Sequence, residues 1–443
     1  MQRKLQRWFA EFFVLLIYKL VIEFGIIRGY IETYDYMFEP GKGYVFSSTK
    51  FIIGFVAFVY CTILLYDTHV FKRMIYHVLL RFLYCICVIP MISVYSFYGS
   101  VTVDALIFPL LFYTVLILSL KKYAHKKSND RKVNIVIPEI KRVDNKVLLF
   151  CGVFTVAIWA LAGFPVALNL DSAYERRMAL RLTNISPLLN YPYMIIGGSV
   201  LPFIFAKYYS KRKYWYAAGT FACGILLFFI NGMKTWIMIY VVAAGIAVLW
   251  KSNALKDGWK QCLVIDVLFL WVAAVCVALY DLTGKYGLLA EFSRVVLIPN
   301  SIGFTSVDFF RKNELLYLRE SVLRAFLKSP YPGGSDFYMY HGADVTATTG
   351  RANNGLWGDA FRNFGIVGML IYPFLISKVF NLVEKSSRGF SLSFRVFVLF
   401  LILWAAVNTS FFTWLLTDGV IVILLLIKLD ASKKRYLTES GDL

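Results

Sequence analysis

Long apolar runs, separated by short polar and basic segments, recur from one end of the chain to the other. A membrane-crossing helix needs about 20 mostly apolar residues. Twelve segments meet or approach that length: 8–27, 51–66, 75–96, 102–120, 147–168, 191–206, 214–230, 235–250, 262–280, 364–380, 396–416 and 419–429. The first is diluted by Glu11, Lys19 and Glu23, and the last is short, ending at Lys428. The pattern predicts an all-α polytopic membrane protein with about 12 transmembrane helices. Arg3, Lys4 and Arg7 precede the first run as in a signal sequence. No small-residue cleavage site follows, which predicts a retained anchor.

Composition sharpens this. Of 443 residues, 59% are hydrophobic and 17% charged, whereas soluble domains run near 45–50% and about 25%. An ordinary soluble enzyme is excluded, as are collagen-like, disordered and disulfide-rich secreted chains. The formal net charge is nonetheless +20. With the N-terminus placed inside and the segments alternating, every short inner loop is basic, as the positive-inside rule requires. The inner segments then carry +20, the outer segments +2 and the helices −2. The most basic tract, 121–146, is therefore a topogenic loop facing anionic lipid, and no nucleic-acid partner is implied. Both termini are expected to be cytoplasmic. Three blocks follow: helices 1–9 over 1–280, with the inner loop 121–146 and an outer loop 169–190; a large outer loop over 281–363; and the remaining helices and tail over 364–443.

All seven cysteines lie in apolar segments, so neither a disulfide framework nor zinc-ligand spacing is available. None of the four histidines (69, 77, 125, 341) has a histidine four residues away, so no metal-binding helix is expected. Charge within the helices is sparse. Glu11, Arg81 and Asp266 are expected to snorkel to the inner surface, Asp104 to sit at the outer edge, and Lys19 and Glu23 to pair on one helix face. A solute transporter would instead keep its working charges in the bilayer. The polar mass lies in the outer loops, which favours chemistry or binding at the outer face.

Within 281–363, residues 305–328 read as an amphipathic helix with an apolar stripe from Phe309 to Leu327. Ser329-Pro-Tyr-Pro-Gly-Gly334 marks a turn. The polar stretch 335–363 follows, with Asp336, His341, Asp344, Arg351, Asn353, Asn354, Asp359, Arg362 and Asn363 among the aromatics Phe337, Tyr338, Tyr340, Trp357 and Phe361. Aromatic faces beside amides, carboxylates and guanidinium forks suit sugar rings and their hydroxyls.

Gly350-Arg-Ala-Asn-Asn-Gly-Leu-Trp-Gly-Asp-Ala-Phe-Arg-Asn-Phe-Gly-Ile-Val-Gly368 resembles the end of the large periplasmic loop of O-antigen polymerases, the Wzy-type oligosaccharide repeat-unit polymerases. In that family an acidic residue and an Asn-Phe-Gly-x-x-Gly-like stretch lead into the next helix. Leu170-Asp-Ser-Ala-Tyr-Glu-Arg-Arg177 resembles the Tyr-x-x-Arg-like segment of the earlier periplasmic loop, and Asn231-Gly-Met-Lys-Thr235 the short basic turn between two mid-chain helices. As motif the likeness covers about 40 residues, as architecture most of the chain, and the order of the motifs carries it. It implies a GT-C-like membrane glycosyltransferase of the bacterial inner membrane. Such an enzyme joins undecaprenyl-diphosphate-linked oligosaccharide repeats at the periplasmic face, with a polysaccharide chain-length regulator as an implied partner. The related O-antigen ligases typically show a His-Asn-x-x-Leu-like pattern here. This chain has Ala352-Asn353-Asn354-Gly355-Leu356, with His341 well upstream, which favours polymerase over ligase. A lipid-linked oligosaccharide flippase is the rival of a different class. It would show short outer loops, with buried charges or broken helices.

Transfer from a lipid diphosphate requires stabilising the leaving anion. The outer segments hold no Asp-x-Asp pair or His/Asp cluster of ligand spacing, so no metal or other cofactor is expected. Guanidinium forks bind phosphate bidentately and stay charged. The expected clamp is Arg176, Arg177, Lys234 and Arg351, with Arg181, Arg319, Asn353, Asn354 and Asn363 as further substrate contacts; Arg294 and Arg324 are weaker candidates. For the acceptor base, His341 has the pKa class suited to neutral pH. Asp359 and Glu175, then Asp336 and Asp344, are its rivals.

Overall fold

The structure, a computed structural model, describes residues 2–34, 45–66, 74–99, 101–125, 141–165, 187–250, 258–285, 287–321, 323–324, 326–331, 334–335 and 355–439. The described residues form helices and turns, with no strand. Seven helices among them are long and apolar enough to cross a membrane: Ser48–Tyr66, Ile75–Phe97, Val103–His125, Leu189–Ser210, Gly258–Thr283, Gly355–Ser387 and Phe411–Leu429. The chain is thus a helical, membrane-embedded protein. Four expected spans appear as shorter apolar helices: Asn145–Leu161, Tyr214–Ile230, Lys234–Leu249 and Leu392–Val407. The expected span 396–416 is interrupted by a turn at 408–410.

Two compact units interleave along the sequence. One comprises Met1–Ser128, Ala254–Asn381 and Leu403–Phe412; the other Asn129–Asn253, Leu382–Ile402 and Thr413–Leu443. This division follows contacts rather than sequence order.

The first unit is built around Ile75–Phe97, whose most apolar stretch is completely buried. The helix Gln2–Val21 packs along Gly258–Thr283, and Ser48–Tyr66 packs on Ile89–Phe97. Ile75–Phe97 widens into a π turn at Tyr84–Val88, just before Pro90. A proline has no N–H for the carbonyl four residues back, and its ring presses on that carbonyl. Here that carbonyl belongs to Ile86, inside the wider turn that absorbs the clash. The second unit repeats the device: the π turn Ile196–Val200 precedes Pro202.

The second unit packs Leu201–Ser210 against Tyr214–Asn231 and Lys234–Leu249. Gly224 permits this approach, since a Cβ there would lie 2.5 Å from the Tyr240 hydroxyl oxygen. Glu384, buried, accepts from both Arg388 and Arg395 (3.2 and 2.9 Å).

The charges inside the first unit are arranged differently from the expectation. Glu11, Arg81 and Asp266 do not snorkel; all three are buried. Arg81 Nη2 pairs with Glu11, and Nη1 with Asp266 Oδ2 at 3.2 Å. Their positions on three separate elements bring opposite charges together, which is less costly than drawing one long side chain to the surface and leaving two carboxylates behind. Lys19 and Glu23 do pair, at 2.5 Å and fully buried, with the ammonium over the Phe51 ring. Glu23 lies in a third π turn, Ile22–Ile26.

Removing one partner of a buried ion pair costs about 3–5 kcal/mol, because the other charge is stranded. Arg81→Met is therefore expected to lower stability by about that much. The triple variant E11Q/R81M/D266N, which removes the charges together, is expected to lose less. Thermal unfolding of the purified protein in detergent measures both, and a triple variant weaker than Arg81→Met contradicts the pairing.

Candidate functional site

Of the residues singled out from the sequence, Glu175, Arg176, Arg177, Arg181, Asp336, His341, Asp344, Arg351, Asn353 and Asn354 lie outside the described residues. Lys234, Arg319, Asp359 and Asn363 lie within them.

Lys234 belongs to the second unit. The helix before it, Tyr214–Asn231, ends on Gly232 in the left-handed conformation (φ 62°), whose amide donates to the Phe228 carbonyl at 2.7 Å. Lys234 then opens the helix Lys234–Leu249. The N-terminal end of a helix dipole disfavours a cation, so helix stability does not account for a lysine there.

The first unit gathers the others at the start of Gly355–Ser387. That helix is broken at Gly365, whose φ of 56° and ψ of −137° are open to glycine alone. The break deprives the carbonyls of Arg362 and Asn363 of their helical donors. Two amides from another segment replace them: Leu316 N donates to the Arg362 carbonyl at 2.9 Å, and Tyr317 N to that of Asn363 at 3.2 Å. Leu318 N donates to Asn363 Oδ1 at 2.8 Å. Gly368, one turn on, presses against the Ala360 carbonyl where a Cβ would collide. The Asn-Phe-Gly-Ile-Val-Gly stretch is thus the sequence of a stabilised helix break.

The same contacts explain a departure from the sequence reading. The amphipathic helix expected over 305–328 ends at Phe310, within Ile298–Phe310, and the described residues beyond it form turns. Asn313 Nδ2 caps the Phe309 carbonyl at 2.8 Å. The amides of 316–318 serve the break instead of continuing a helix. Tyr317 and Leu318 take left-handed φ values of 49° and 65°, a strain of about 1–3 kcal/mol each. Arg319 holds this turn: Nε donates to the Leu316 carbonyl (2.9 Å), and Nη2 to Glu314 Oε1 (2.5 Å) and the Leu315 carbonyl (2.8 Å). Its guanidinium serves the turn and does not ride on a helix face. Glu320 fastens the far end, accepting from Ser329 Oγ, Ser335 N and Ser335 Oγ at 2.6–2.7 Å.

Asp359 is 1% exposed. Oδ1 accepts from Arg362 Nε (3.1 Å) and Asn363 Nδ2 (3.0 Å), and Oδ2 from the Phe411 amide (3.0 Å). Three donors thus occupy both oxygens from within the protein, whereas a general base needs a lone pair aimed at the substrate proton. Asn363 is as fully engaged, since Nδ2 also donates to the Asp359 carbonyl at 2.9 Å. Asp359 therefore ties together the helix start, the Arg362 guanidinium and the first amide of Phe411–Leu416. Arg362 stands one turn after Asp359, a spacing that signals such a pair. Nothing in the sequence marks Tyr372, whose ring packs 5.1 Å from that of Phe411.

The two described aromatics expected to face sugar rings are core residues. Trp357 is buried, donating Nε1–H to Asn300 Oδ1 at 3.1 Å, in space left by Gly303. Phe361 is buried against Phe108 at 4.9 Å. A cavity of about 30 Å³ beside Trp357, lined by Asn300, Phe112, Phe380 and Val407, is water-sized, too small for a sugar ring. Nearby, Arg311 lies over the Phe108 ring and pairs with Asp104 at 2.6 Å. Burial pushes the Asp308 carboxyl above its usual range, against the pull of Arg311 and Lys312. Among the described residues no group of three His, Cys, Asp or Glu side chains is placed to hold a metal.

If the break is built as described, Gly365→Ala costs about 1–3 kcal/mol of backbone strain. Asp359→Ala costs about 3–5 kcal/mol by removing the carboxylate that accepts from Arg362 Nε, Asn363 Nδ2 and the Phe411 amide. Denaturant unfolding of the purified variants reads both losses, and wild-type stability in Gly365→Ala contradicts the break.

No family model matches the chain, and neither a curated protein nor a solved structure matches it.

Proposed function

We propose that the chain is a GT-C-like membrane glycosyltransferase that polymerises undecaprenyl-diphosphate-linked oligosaccharide repeats into O-antigen or a related surface polysaccharide. It works at the periplasmic face of the bacterial inner membrane. On this reading the four shorter apolar helices and the first helix, Gln2–Val21, complete about 12 crossings and leave both termini cytoplasmic. The observation that carries it is the segment Gly355–Gly368. It bears the family-like motif, and there the chain commits a buried carboxylate, a guanidinium and an amide to holding a helix open. A strained break held by surrounding contacts is characteristic of functional sites. The Arg/Lys clamp of Arg176, Arg177, Lys234 and Arg351 binds the diphosphate, with a chain-length regulator as partner. His341 or Glu175 serves as the base, because Asp359 is occupied as a hydrogen-bond acceptor.

A second reading has specific support. A flippase or other transporter keeps charges and broken helices inside the bilayer. The buried pairs Lys19–Glu23 and Arg81–Glu11–Asp266 are charges of that kind.

Deletion of the gene separates the readings by the glycan left behind. The expected phenotype is lipopolysaccharide whose core carries a single repeat in place of a ladder, seen on a gel. Lipid-linked polymer with a bare core identifies a ligase. Lipid-linked single repeats held on the cytoplasmic face identify a flippase. Either of the last two results overturns the polymerase.

A further inference from the structure

In the second unit the helix Leu201–Ser210 closes on two bonds: Arg212 N donates to the Tyr209 carbonyl at 3.0 Å, and Lys213 N to that of Tyr208 at 2.9 Å. This pattern puts residue 212 in left-handed backbone, where glycine is the usual occupant. Here the residue is Arg212, at φ 60°. A side chain in that conformation strains the backbone, and strain kept in a fold marks a place where the side chain has a task. Favouring the helix dipole is not that task, since Lys207, Lys211 and Lys213 already bring cations to this helix end.

The Arg212 side chain is exposed, and no described residue pairs with its guanidinium. The sequence has no acidic residue between Glu175 and Asp257. The next helix, Tyr214–Asn231, opens with three aromatics. Tyr216 stacks on Tyr208 at 4.9 Å, and Tyr214 meets Tyr209 edge-on at 5.5 Å. Those rings pin the first turn to the preceding helix and hold Trp215 outward between them, 90% exposed, more than any other described large apolar side chain. An acidic protein or free phosphate would meet the cations and leave the indole in water. An anionic phospholipid meets both: its phosphate suits the guanidinium fork, and the headgroup level suits an indole.

We propose that the hairpin tip at 211–216 is a binding site for an anionic phospholipid, with Arg212 on the headgroup phosphate and Trp215 seated beside it at the membrane interface. On the topology expected from the sequence the lipid belongs to the inner leaflet, whose negative surface draws in cations next to the membrane. Orienting the chain requires only net positive charge on that side. The site requires in addition a guanidinium at one strained position and an indole three residues on.

Native mass spectrometry of the full chain in detergent, titrated with dioctanoyl phosphatidylglycerol or dioctanoyl phosphatidylcholine, tests the site. The wild type is expected to prefer phosphatidylglycerol. Arg212→Gln removes the charge and keeps the strain, and Arg212→Gly removes both. Each is expected to weaken phosphatidylglycerol binding about fivefold, the worth of one cation at an anionic surface. Arg212→Gly is expected to unfold at or above the wild-type temperature, because glycine relieves the backbone. Trp215→Ala is expected to weaken binding as well. Lys122→Gln, which removes an exposed cation from the end of Val103–His125, is expected to bind as the wild type does. No preference in the wild type overturns the lipid site and leaves an acidic protein as the complement of the tip. Unchanged affinity in any of the Arg212 or Trp215 variants also overturns it. Equal loss in Lys122→Gln reduces the effect to general surface charge, and a clear loss of stability in Arg212→Gly makes the arginine a part of the turn alone; either result overturns the site.

Discussion

A backbone carbonyl shut away from water must find a donor, and a helix break creates carbonyls that have lost theirs. At Gly365 two are exposed, those of Arg362 and Asn363, and Leu316 and Tyr317 supply the missing amides. Much of the first unit follows from that exchange. It keeps 316–318 out of helix, because amides given to the break cannot also extend one. It forces Tyr317 and Leu318 into left-handed backbone. It also gives Asn363 two tasks, with its carbonyl taking one amide and its side chain the next. Asp359 then anchors the side chains of Arg362 and Asn363 from the first turns of the helix. The break is thus a closed network of contacts and not a point of flexibility.

The charges buried elsewhere obey the same economy in a different currency of contacts. An isolated ion in a low-dielectric interior is prohibitive, so Lys19 and Arg81 face opposite charges, whereas the buried Lys50 ammonium donates to the Tyr98 carbonyl. Lys19 finds Glu23 one turn along the same helix. Arg81 needs partners from two other helices, Glu11 and Asp266. Such pairs are poor sources of stability in themselves. Their value lies in the arrangement of helices they specify, since Arg81 meets its carboxylates only when three separate helices are in register.

What could be read along the chain was what depends on local spacing. The apolar runs located the helices because burial in lipid is a property of consecutive residues. Lys19 and Glu23, four apart, announced their pair. The Asn-Phe-Gly-x-x-Gly stretch announced an unusual site, although nothing local said that it was a break. What depended on partners distant in sequence was hidden. Arg81 read as a snorkelling cation because its carboxylates lie 70 and 185 residues away. The stripe from Phe309 to Leu327 read as a helix because periodicity is blind to amides claimed elsewhere. Trp357 and Phe361 read as sugar platforms because an aromatic residue carries no mark of which way it faces.

Asp359 shows why composition alone misassigns roles. A carboxylate in a polar, aromatic stretch before a helix resembles a base on every criterion of residue type. Its roles separate only when its donors are counted. A base requires an oxygen lone pair directed at the substrate proton, and three protein donors already occupy the two Asp359 oxygens. The same three contacts make it well suited to hold a guanidinium still. The carboxylate that looked reactive is instead a tie that joins the helix start, two side chains one turn on and the Phe411 amide.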